Sequence, residues 1–527
     1  MTEPSTEHVS IHDFLAGHRE PDGRLGAGAV TLPDEVGGGG IQVGPGGDIR
    51  WGPGTLDGML VQHHPLGHPE GLEELLRALV TFVAGEQSMI STELVEAARA
   101  HGSASTLLAT RGVLLEWDTF RGRHARVYSL GSALVTQSAE RGLVKLGIVL
   151  LSLFRTVEEA DHQALLTLAL HDEFTLYVIR ALEYSRPDPV AEMFWLAQRV
   201  SGWGRVHLVE RLVKAHRPTP EIMDWIVRHG FRNDVDVLYL AYIPAIHGDL
   251  PGRLLVAEQD TELLYAVSDV LSALFTEGGP VTWDIRDYPD AFIVATQFLA
   301  RVAEQPANVR LLHGVTRIRS ALDGDRAQWS ADWTTERRAD LSRRCTDLIR
   351  HPAWIEAART ALFTATTSAD YFQAAAACQA AGISTISSDV DRLRADPLSP
   401  GLWSSVLEQA EDDVIEDLME LATDILPLDR IGTGPAHETG FGSGFEPHRC
   451  LWLLIPKLSD HPGVGWPLIA AALLSPVPSN RASAADILAQ WTPDRWPPEA
   501  EPSLRQAAAR EPDDTVRRKL QQVLRVR

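Results

Sequence analysis

The sequence predicts an all-α protein built as an α-solenoid, in which successive helix pairs stack along the chain. Three observations lead to this fold class. The chain of 527 residues is too long for one compact core, so it forms several domains or an elongated array. Apolar residues recur every three or four positions, as they do on the buried face of a helix. Two C-terminal segments also align without gaps at an offset of 36 residues, which indicates a structural repeat.

Residues 1–60 differ from the rest of the chain and are expected to form an irregular, Gly/Pro-rich segment. Residues 37–47 are rich in glycine, which loses the most backbone entropy on ordering, so no stable helix is expected there. Short extended pieces are predicted near Ile41–Val43 and Ile49–Trp51. The run Gly112–Trp117 is rich in strand-forming residues and is a further candidate strand, so any strands should precede residue 130.

Residues 61–429 are predicted to form a helical-repeat array. The amphipathic pattern begins near Leu72 and returns in several later segments, of which Leu143–Phe154 is the most apolar. Proline-containing turns separate these segments. One turn opens a helix well, because Thr219 is a suitable N-cap and Pro220 then occupies the first helical position.

The C-terminal region, residues 449–527, contains the clearest internal repeat. Leu468–Leu488 aligns on Leu504–Leu524, and each matched position has a structural meaning. A leucine begins the first helix, a proline ends it, an arginine lies early in the second helix, and a leucine closes that helix on its buried face. The matched pairs are Leu468 and Leu504, Pro476 and Pro512, Arg481 and Arg517, and Leu488 and Leu524.

The second of these units resembles a HEAT repeat. The resemblance is carried by Pro512–Arg517, followed by Leu520 and Leu524. It implies that an Asp caps the second helix and that a Val-Arg step packs against and bridges neighbouring repeats. The first unit departs from this pattern, because Asn480 stands where valine is expected and the acidic cap is missing. The clear resemblance is therefore confined to the C-terminus.

A second segment resembles a stretch found in uncharacterised bacterial helical-repeat proteins. It consists of Gly202–Leu212, followed by Trp225 and Gly230–Asn233. The resemblance implies a helical-repeat fold and no particular activity.

The same segment contains the candidate binding site. On a helix that starts near Gly204, residues 203, 207, 210 and 214 fall on one face. A His and a Glu one turn apart are suited to acid–base chemistry, although a solvated helix face with internal ion pairs accounts for them equally. The candidate binding residues are Trp203, Arg205, His207, Glu210, Arg211, Asn233 and Asp236.

Residues 430–448 form a glycine-rich stretch that is predicted to be a long loop between helices. Loops of this length are usually functional or disordered. Phe441 and Phe445 are candidate docking residues within it, and disorder of the loop is the alternative.

Composition excludes several classes of function. The net charge of −23 repels phosphate backbones and anionic membranes, so no nucleic-acid or membrane partner is expected. No secretory signal and no apolar run of about 20 residues is present, and Cys345, Cys378 and Cys450 are too far apart for a disulfide framework. A cytoplasmic location is therefore expected. The histidines at 63, 64 and 68 lack the spacing of a helical metal pair, so no metal or cofactor is expected.

These observations favour a non-enzymatic scaffold that binds a protein through the concave face of the solenoid. The acidic charge predicts that the partner presents a neutral or basic contact surface. The alternative is an enzyme with its active site in the helical groove, such as a DNA-glycosylase-like protein. The acidic charge disfavours that alternative, because such an enzyme needs a basic track for DNA.

Overall fold

A computed structural model describes most of the chain as closely packed helices. The described residues are 9–35, 41–42, 48–49, 52–63, 69–85, 90–116, 122–256, 260–281, 283–324, 329, 331–438, 440 and 444–525. They form 29 α-helices and one pair of two-residue strands. The chain is therefore all-α, as predicted from the sequence. Among the described residues, no helix combines the length and the hydropathy that a membrane span requires.

The chain divides into two compact units. Unit 1 comprises residues 1–37 and 51–377, and unit 2 comprises residues 38–50 and 378–527. Helix α20 (Ser368–Ala380) crosses this division near its C-terminal end.

Unit 1 is a succession of helices in which, from α3 onwards, most helices pack on a neighbour in the sequence or on helices one or two places further on. The pairs α6 and α7, α15 and α17, and α17 and α18 make the most extensive contacts. This local pattern is that of an α-solenoid. The helices are α1 (Ile11–Gly17), α2 (Thr55–His63), α3 (Leu72–Ala84), α4 (Thr92–Ala100), α5 (Ala104–Glu116), α6 (His124–Gln137), α7 (Arg141–Leu151), α8 (Glu159–Leu168), α9 (Asp172–Ser185), α10 (Val190–Ala197), α11 (Trp203–Lys214), α12 (Pro220–Trp225), α13 (Leu238–His247), α14 (Leu250–Val256), α15 (Thr261–Leu274), α16 (Ala291–Ala303), α17 (Val309–Asp323), α18 (Thr335–Ile349) and α19 (Pro352–Thr364).

Unit 2 continues the same kind of packing. The pairs α21 and α22, α26 and α27, and α28 and α29 contact each other, and α27 also contacts α29. The helices are α21 (Ile386–Ala395), α22 (Pro400–Gln409), α23 (Asp412–Ile425), α24 (Leu428–Ile431), α25 (Glu446–Leu454), α26 (Trp466–Leu473), α27 (Pro478–Gln490), α28 (Ala500–Arg510) and α29 (Asp514–Arg525). Strands β1 (Ile41–Gln42) and β2 (Asp48–Ile49) pair in antiparallel fashion, close to the extended pieces that the sequence predicts.

The candidate strand at Gly112–Trp117 is wrong. Residues up to Glu116 belong to α5, and Leu114 is 2% exposed in the core of unit 1. Packing of α5 against α3 and α7 therefore outweighs the local preference for extended backbone. Residue 117 lies outside the described residues.

The N-terminal segment contains two helices in addition to the irregular structure that its composition predicts. Ser10 caps α1 by accepting a hydrogen bond from the Asp13 backbone N–H, and Ile11 and Leu15 are fully buried against α6 and α8. A helix of 7 residues is too short to be stable alone, so the burial of these two apolar residues, one helical turn apart, stabilises it.

The aligned C-terminal segments form the two predicted helix pairs, α26–α27 and α28–α29. Leu504 and Leu520 are fully buried, as expected. The expectation for Leu524 is wrong, because Val523 is buried in its place and Leu524 is half-exposed. In α29 the buried residues are spaced at 516, 520 and 523, which keeps them on one face of the last helix.

The three cysteines are thiols and not disulfides, and all three are fully buried. Cys345 lies on α18 in unit 1, whereas Cys378 and Cys450 belong to unit 2.

Candidate functional site

Helix α11 presents Trp203, His207, Glu210 and Lys214 along one face, as the sequence predicts. Helix α2 packs on this face. A Cβ atom at Gly58 would lie 2.3 Å from the Trp203 ring, so only glycine allows α2 to approach this closely. One turn further along α2, the Gln62 amide donates a hydrogen bond of 2.7 Å to Glu210.

Glu210 lies in a small cavity, which we call the aromatic pocket. Its volume is about 210 Å³, and it is lined by Gln62, His63, Glu210, Lys214, Tyr239, Tyr242, Pro280, Val281 and Trp283. Trp283 stacks on Tyr242 with ring centroids 5.6 Å apart and remains 45% exposed. The Glu210 carboxylate also accepts hydrogen bonds from Lys214 at 2.9 Å and from the Tyr242 hydroxyl at 3.0 Å. Its charge is therefore already balanced by an internal cation.

His207 is buried beneath α2 and does not pair with Glu210. Burial lowers the pKa of His207 to about 4, so the imidazole is neutral at physiological pH. No hydrogen bond or ion pair with His207 is found among the described residues, and its ring lies 6.0 Å from that of Trp203. The arrangement therefore supplies no coupled acid and base.

The predicted arginines lie away from the aromatic pocket. Arg205 donates hydrogen bonds to the carbonyl oxygens of Ala197, Val200 and Arg232, which ties the start of α11 to the adjoining turns. Arg211 forms an ion pair with Glu183 of α9. Both side chains hold helices together.

The side chains of Asn233 and Asp236 accept hydrogen bonds from nearby backbone N–H groups. Asn233 Oδ1 accepts hydrogen bonds from the backbone N–H groups of Val235 and Asp236, and Asp236 Oδ1 accepts one from Leu238. These bonds shape the turn before α13.

The two candidate docking phenylalanines have different positions. Phe441 lies outside the described residues, and Phe445 is the half-buried N-cap residue of α25, with its ring 5.5 Å from His448.

Of the histidine cluster at positions 63, 64 and 68, only His63 is described, and it shares a hydrogen bond of 2.9 Å with the Tyr239 hydroxyl. No group of three or more metal-ligating side chains is found in the described part of the chain.

A buried ionic network lies next to this region and was not foreseen. The Lys145 ammonium of α7 donates to Asp57 at 2.8 Å and to Glu173, and the Tyr177 hydroxyl donates to Asp57 at 2.7 Å. Burial alone would raise the pKa of Glu173, but the Lys145 charge outweighs it and holds that pKa at about 2. Backbone N–H groups of Gly54 and Ala104 also donate to these carboxylates. We call these residues the Lys145 network; it fastens α2 to α5, α7 and α9.

A second candidate surface lies on unit 2, along α23. Between residues 408 and 429 the chain has nine acidic residues and no lysine or arginine. All nine are exposed, and none forms an ion pair with a described residue. The opposite face of α23 buries Ile415, Leu418, Met419 and Ala422 in unit 2. We call the nine acidic residues the acidic face: six lie on α23, and Glu408, Glu411 and Asp429 flank it. The six on α23 are Asp412, Asp413, Glu416, Asp417, Glu420 and Asp424.

A cavity of about 440 Å³ adjoins the start of the acidic face. Glu411 and Asp413 line it together with Gln379, Gly382, Ile383, Ser384, Ile386, Gln409 and Val414. The cavity lies where the ends of α20 and α22 meet the starts of α21 and α23. Its polar lining is therefore rich in oxygen acceptors.

A buried carboxylate anchors the lining residue Gln409. Asp389 is fully buried and accepts hydrogen bonds from Thr385, Ser405 and Gln409 at 2.9 to 3.2 Å. The Gln379 amide nitrogen donates to Thr385 and Ser405, so its carbonyl oxygen points away from this network. The polar groups are thus fixed before any ligand binds.

Sequence analysis passed over the acidic face, although the signal was present. A run of acidic residues without a single basic residue is visible directly in the sequence. The adjoining cavity has no such signal, because its residues come from four helices.

Comparisons with known proteins leave the geometry as the only guide. No protein-family model matches the chain, and no curated protein matches it. A crystal structure of an engineered protein aligns with 86% of this chain and 98% of its own, with 14% identity and a TM-score of 0.22. A similarity at that TM-score supports no inference about fold or function.

Proposed function

We propose that the protein is a non-enzymatic helical-repeat scaffold that binds a protein partner with a basic contact surface. The partner contacts unit 2 along the acidic face, and one of its lysine or arginine side chains enters the adjoining cavity. The observation that carries this proposal is the set of nine exposed carboxylates that have no ion-pair partner in the described part of the chain, next to a cavity lined by fixed acceptors. Lysine and arginine supply donors only, so they complement such a lining.

Electrostatics supports a basic partner. Nine like charges on one helix and its flanking residues repel each other, and a cationic surface relieves that repulsion while steering association. Acidic residues in the first turn also interact favourably with the helix dipole, which explains Glu411, Asp412 and Asp413 without a partner. That effect does not extend to Glu416 and beyond, because it is confined to the first turn.

The repeats of unit 2 support the HEAT-like assignment that forms part of the proposal. Asp513 accepts hydrogen bonds from the backbone N–H groups of Thr515 and Val516, so it caps α29. Arg481 of α27 forms two hydrogen bonds of 2.6 Å with Glu511, which precedes α29, and both side chains are fully buried. An arginine thus bridges neighbouring repeats. The three buried thiols, which form no disulfide, also suit a reducing, cytoplasmic location.

The proposal is tested by neutralising part of the acidic face. We expect the variant to lose the proteins that the wild-type chain retains from native lysate, and to bind a labelled lysine–glycine peptide more weakly in fluorescence anisotropy. Peptide binding should also weaken with added salt. The four substitutions are Glu411→Gln, Asp413→Asn, Glu416→Gln and Asp417→Asn.

A matched control removes the same charge elsewhere. It neutralises four exposed carboxylates that also lack ion pairs with described residues, and it should bind like the wild type. Equal loss in both variants would mean that net charge alone attracts the peptide, and no loss in either would contradict the proposal. The control substitutions are Glu93→Gln, Glu96→Gln, Glu356→Gln and Glu499→Gln.

The cavity is tested separately from the charge. Ser384 is exposed and lines the cavity, so Ser384→Trp places an indole there and leaves every carboxylate in position. We expect weaker peptide binding with an unchanged salt dependence. If this variant binds the peptide with wild-type affinity, the cavity takes no part in binding and the peptide contacts only α23.

A further inference from the structure

Unit 1 contains a larger cavity that shares Tyr239 with the aromatic pocket. Its volume is about 570 Å³, which is within the usual range for small-molecule sites. Its walls come from the N-terminal segment, from α2 and the turn before it, and from the N-terminal ends of α9 and α11. Most of the lining is apolar and includes Leu25, Val30, Met59, Leu170, Val200 and Val235. We call it the amine cavity, for the reasons that follow.

Two carboxylates line the amine cavity, and the nearby arginines do not form direct ion pairs with them. Asp172 begins α9 and Asp234 precedes α13. Neither forms an ion pair with a described residue. Burial raises the pKa of Asp172 to about 6, and the nearby Asp234 charge adds to this effect. A cationic ligand would therefore offset the electrostatic cost of ionising Asp172.

The Asp172 carboxylate is held in a fixed position by α11. Its Oδ1 atom accepts a hydrogen bond of 2.6 Å from the Gly204 backbone N–H. A Cβ atom at Gly204 would lie 2.7 Å from Oδ1, and one at Gly202 would lie 2.5 Å from Oδ2. The Gly202-Trp203-Gly204 sequence thus permits a close approach between backbone and carboxylate, and it places the Trp203 side chain in the same wall.

The arginines near these carboxylates are engaged by the backbone. Arg205 donates to three carbonyl oxygens, as described above. Arg199 lines the cavity, but it stacks on Trp195 at 4.2 Å and donates to the carbonyl oxygens of Asp22 and Trp195. The N–H donors of both arginines are therefore directed at carbonyl oxygens and not at the two carboxylates, although the Arg205 charge still lowers the pKa of Asp172.

We propose that the amine cavity binds a small organic amine, with its ammonium group at Asp172 and Asp234 and its apolar body against Trp203 and Met59. The carboxylates supply acceptors for an ammonium, and the apolar walls exclude a ligand that is polar throughout. A hard divalent cation is a poorer fit, because it requires several oxygen ligands and the remaining walls are mostly apolar. This proposal is independent of the partner surface on unit 2.

The test compares three probes that share an indole ring and differ in charge. They are tryptamine, the neutral alcohol tryptophol, and the anion indole-3-propionate. Binding to the full chain is measured by isothermal titration calorimetry, with the shift in Tm as a second readout. We expect tryptamine to bind at least about tenfold more tightly than either of the others and to raise the Tm. Equal binding of all three, preference for the anion, or no binding would overturn the proposal.

The variants test the role of the carboxylates. Asp172→Asn keeps an acceptor for Gly204 and removes the charge, so tryptamine affinity should fall at least about tenfold while tryptophol affinity stays unchanged. Asp234 is exposed, so Asp234→Asn should weaken tryptamine binding less than Asp172→Asn does. It also provides a second test of the site if the Asp172→Asn variant does not fold. Asp391→Asn removes an exposed carboxylate of unit 2 and should bind like the wild type. Wild-type affinity in both cavity variants would contradict the site.

Discussion

The Lys145 network and the acidic face use the same side chains in opposite ways. In unit 1, Asp57 and Glu173 are buried, and each carboxylate is paired with an ammonium and with backbone N–H groups. In unit 2, the nine carboxylates of the acidic face are exposed and have no ion-pair partner among the described residues. The comparison separates acidic residues that hold the fold together from acidic residues that are available to another molecule.

The difference follows from the cost of burying a charge. A buried carboxylate without a partner is strongly destabilising, and Asp57 and Glu173 avoid this cost because the Lys145 network satisfies them. Asp172, which has no ion pair with a described residue, instead has its pKa raised to about 6 by burial. An exposed carboxylate has no such requirement, because water solvates it. Unpaired acidic residues at the surface are therefore free to serve a binding function, whereas those of the Lys145 network are not.

Breaking the Lys145 network should give the largest effect. Lys145→Met leaves two buried carboxylates without their cation, so we expect the free energy of unfolding to fall by about 3–5 kcal/mol in urea denaturation. Lys214→Met is the matched control, because Lys214 is largely exposed and pairs with Glu210 on the same helix, and its effect should be about 0.5 kcal/mol or less. Similar losses in both variants would mean that the buried network has no special role.

An apolar truncation in unit 2 provides a reference for these values. Leu520 is fully buried on α29, so Leu520→Ala should lower the free energy of unfolding by roughly 2–5 kcal/mol. The half-exposed Leu524 is the control, and Leu524→Ala should cost clearly less. If the two truncations were equally harmful, the buried face of α29 would be assigned to the wrong residues.

The neighbouring residues Asp172 and Glu173 should respond to pH in opposite directions. The pKa of Asp172 is raised to about 6, so its contribution to stability is full below the unfolded value near 3.8 and is lost as pH rises through about 6. The pKa of Glu173 is lowered to about 2, so its contribution is present above the unfolded value and is lost only as pH falls through about 2.

This contrast is measurable with Asp172→Asn, which cannot ionise. Relative to the wild type, the variant should gain up to about 3 kcal/mol of unfolding free energy between pH 4 and pH 7. Urea denaturation across that pH range checks the expected gain. A constant difference between the two proteins would show that Asp172 is not destabilised by burial.

Neutralising the acidic face should have the smallest effect on stability. Substituting four carboxylates beyond the first turn of α23 relieves like-charge repulsion, so we expect a slight rise in Tm at low ionic strength that disappears at high salt. A marked loss of stability would mean that these carboxylates have structural partners. The substitutions are Glu416→Gln, Asp417→Asn, Glu420→Gln and Asp424→Asn, and differential scanning fluorimetry measures the result.

Local patterns predicted the helices well and the site only in part. The spacing of apolar residues predicted α3, α7 and α11, and the Thr219–Pro220 pair predicted the start of α12, where Thr219 accepts a hydrogen bond from the Ile222 backbone N–H. These features depend on residues within one or two helical turns, and sequence reasoning detects that range.

The remaining features depend on residues far apart in the chain. Gln62 meets Glu210, and Asp57 meets Lys145, because α2 packs across α11 and α7. No local pattern shows that packing, so the sequence predicted the α11 face without the helix that covers it. The strand expected at Gly112–Trp117 failed for the same reason, since the neighbours of α5 decide its conformation.

The buried thiols give the two units separate reporters of their own motion. Burial raises the pKa of both Cys345 and Cys450 to about 12, so at neutral pH neither is ionised or accessible to an alkylating reagent. Each thiol can react only while the helices around it are transiently open. Cys345 belongs to unit 1 and Cys450 to unit 2. The rate at which each cysteine of the wild-type protein is alkylated, followed by mass spectrometry, therefore measures how often the corresponding unit opens.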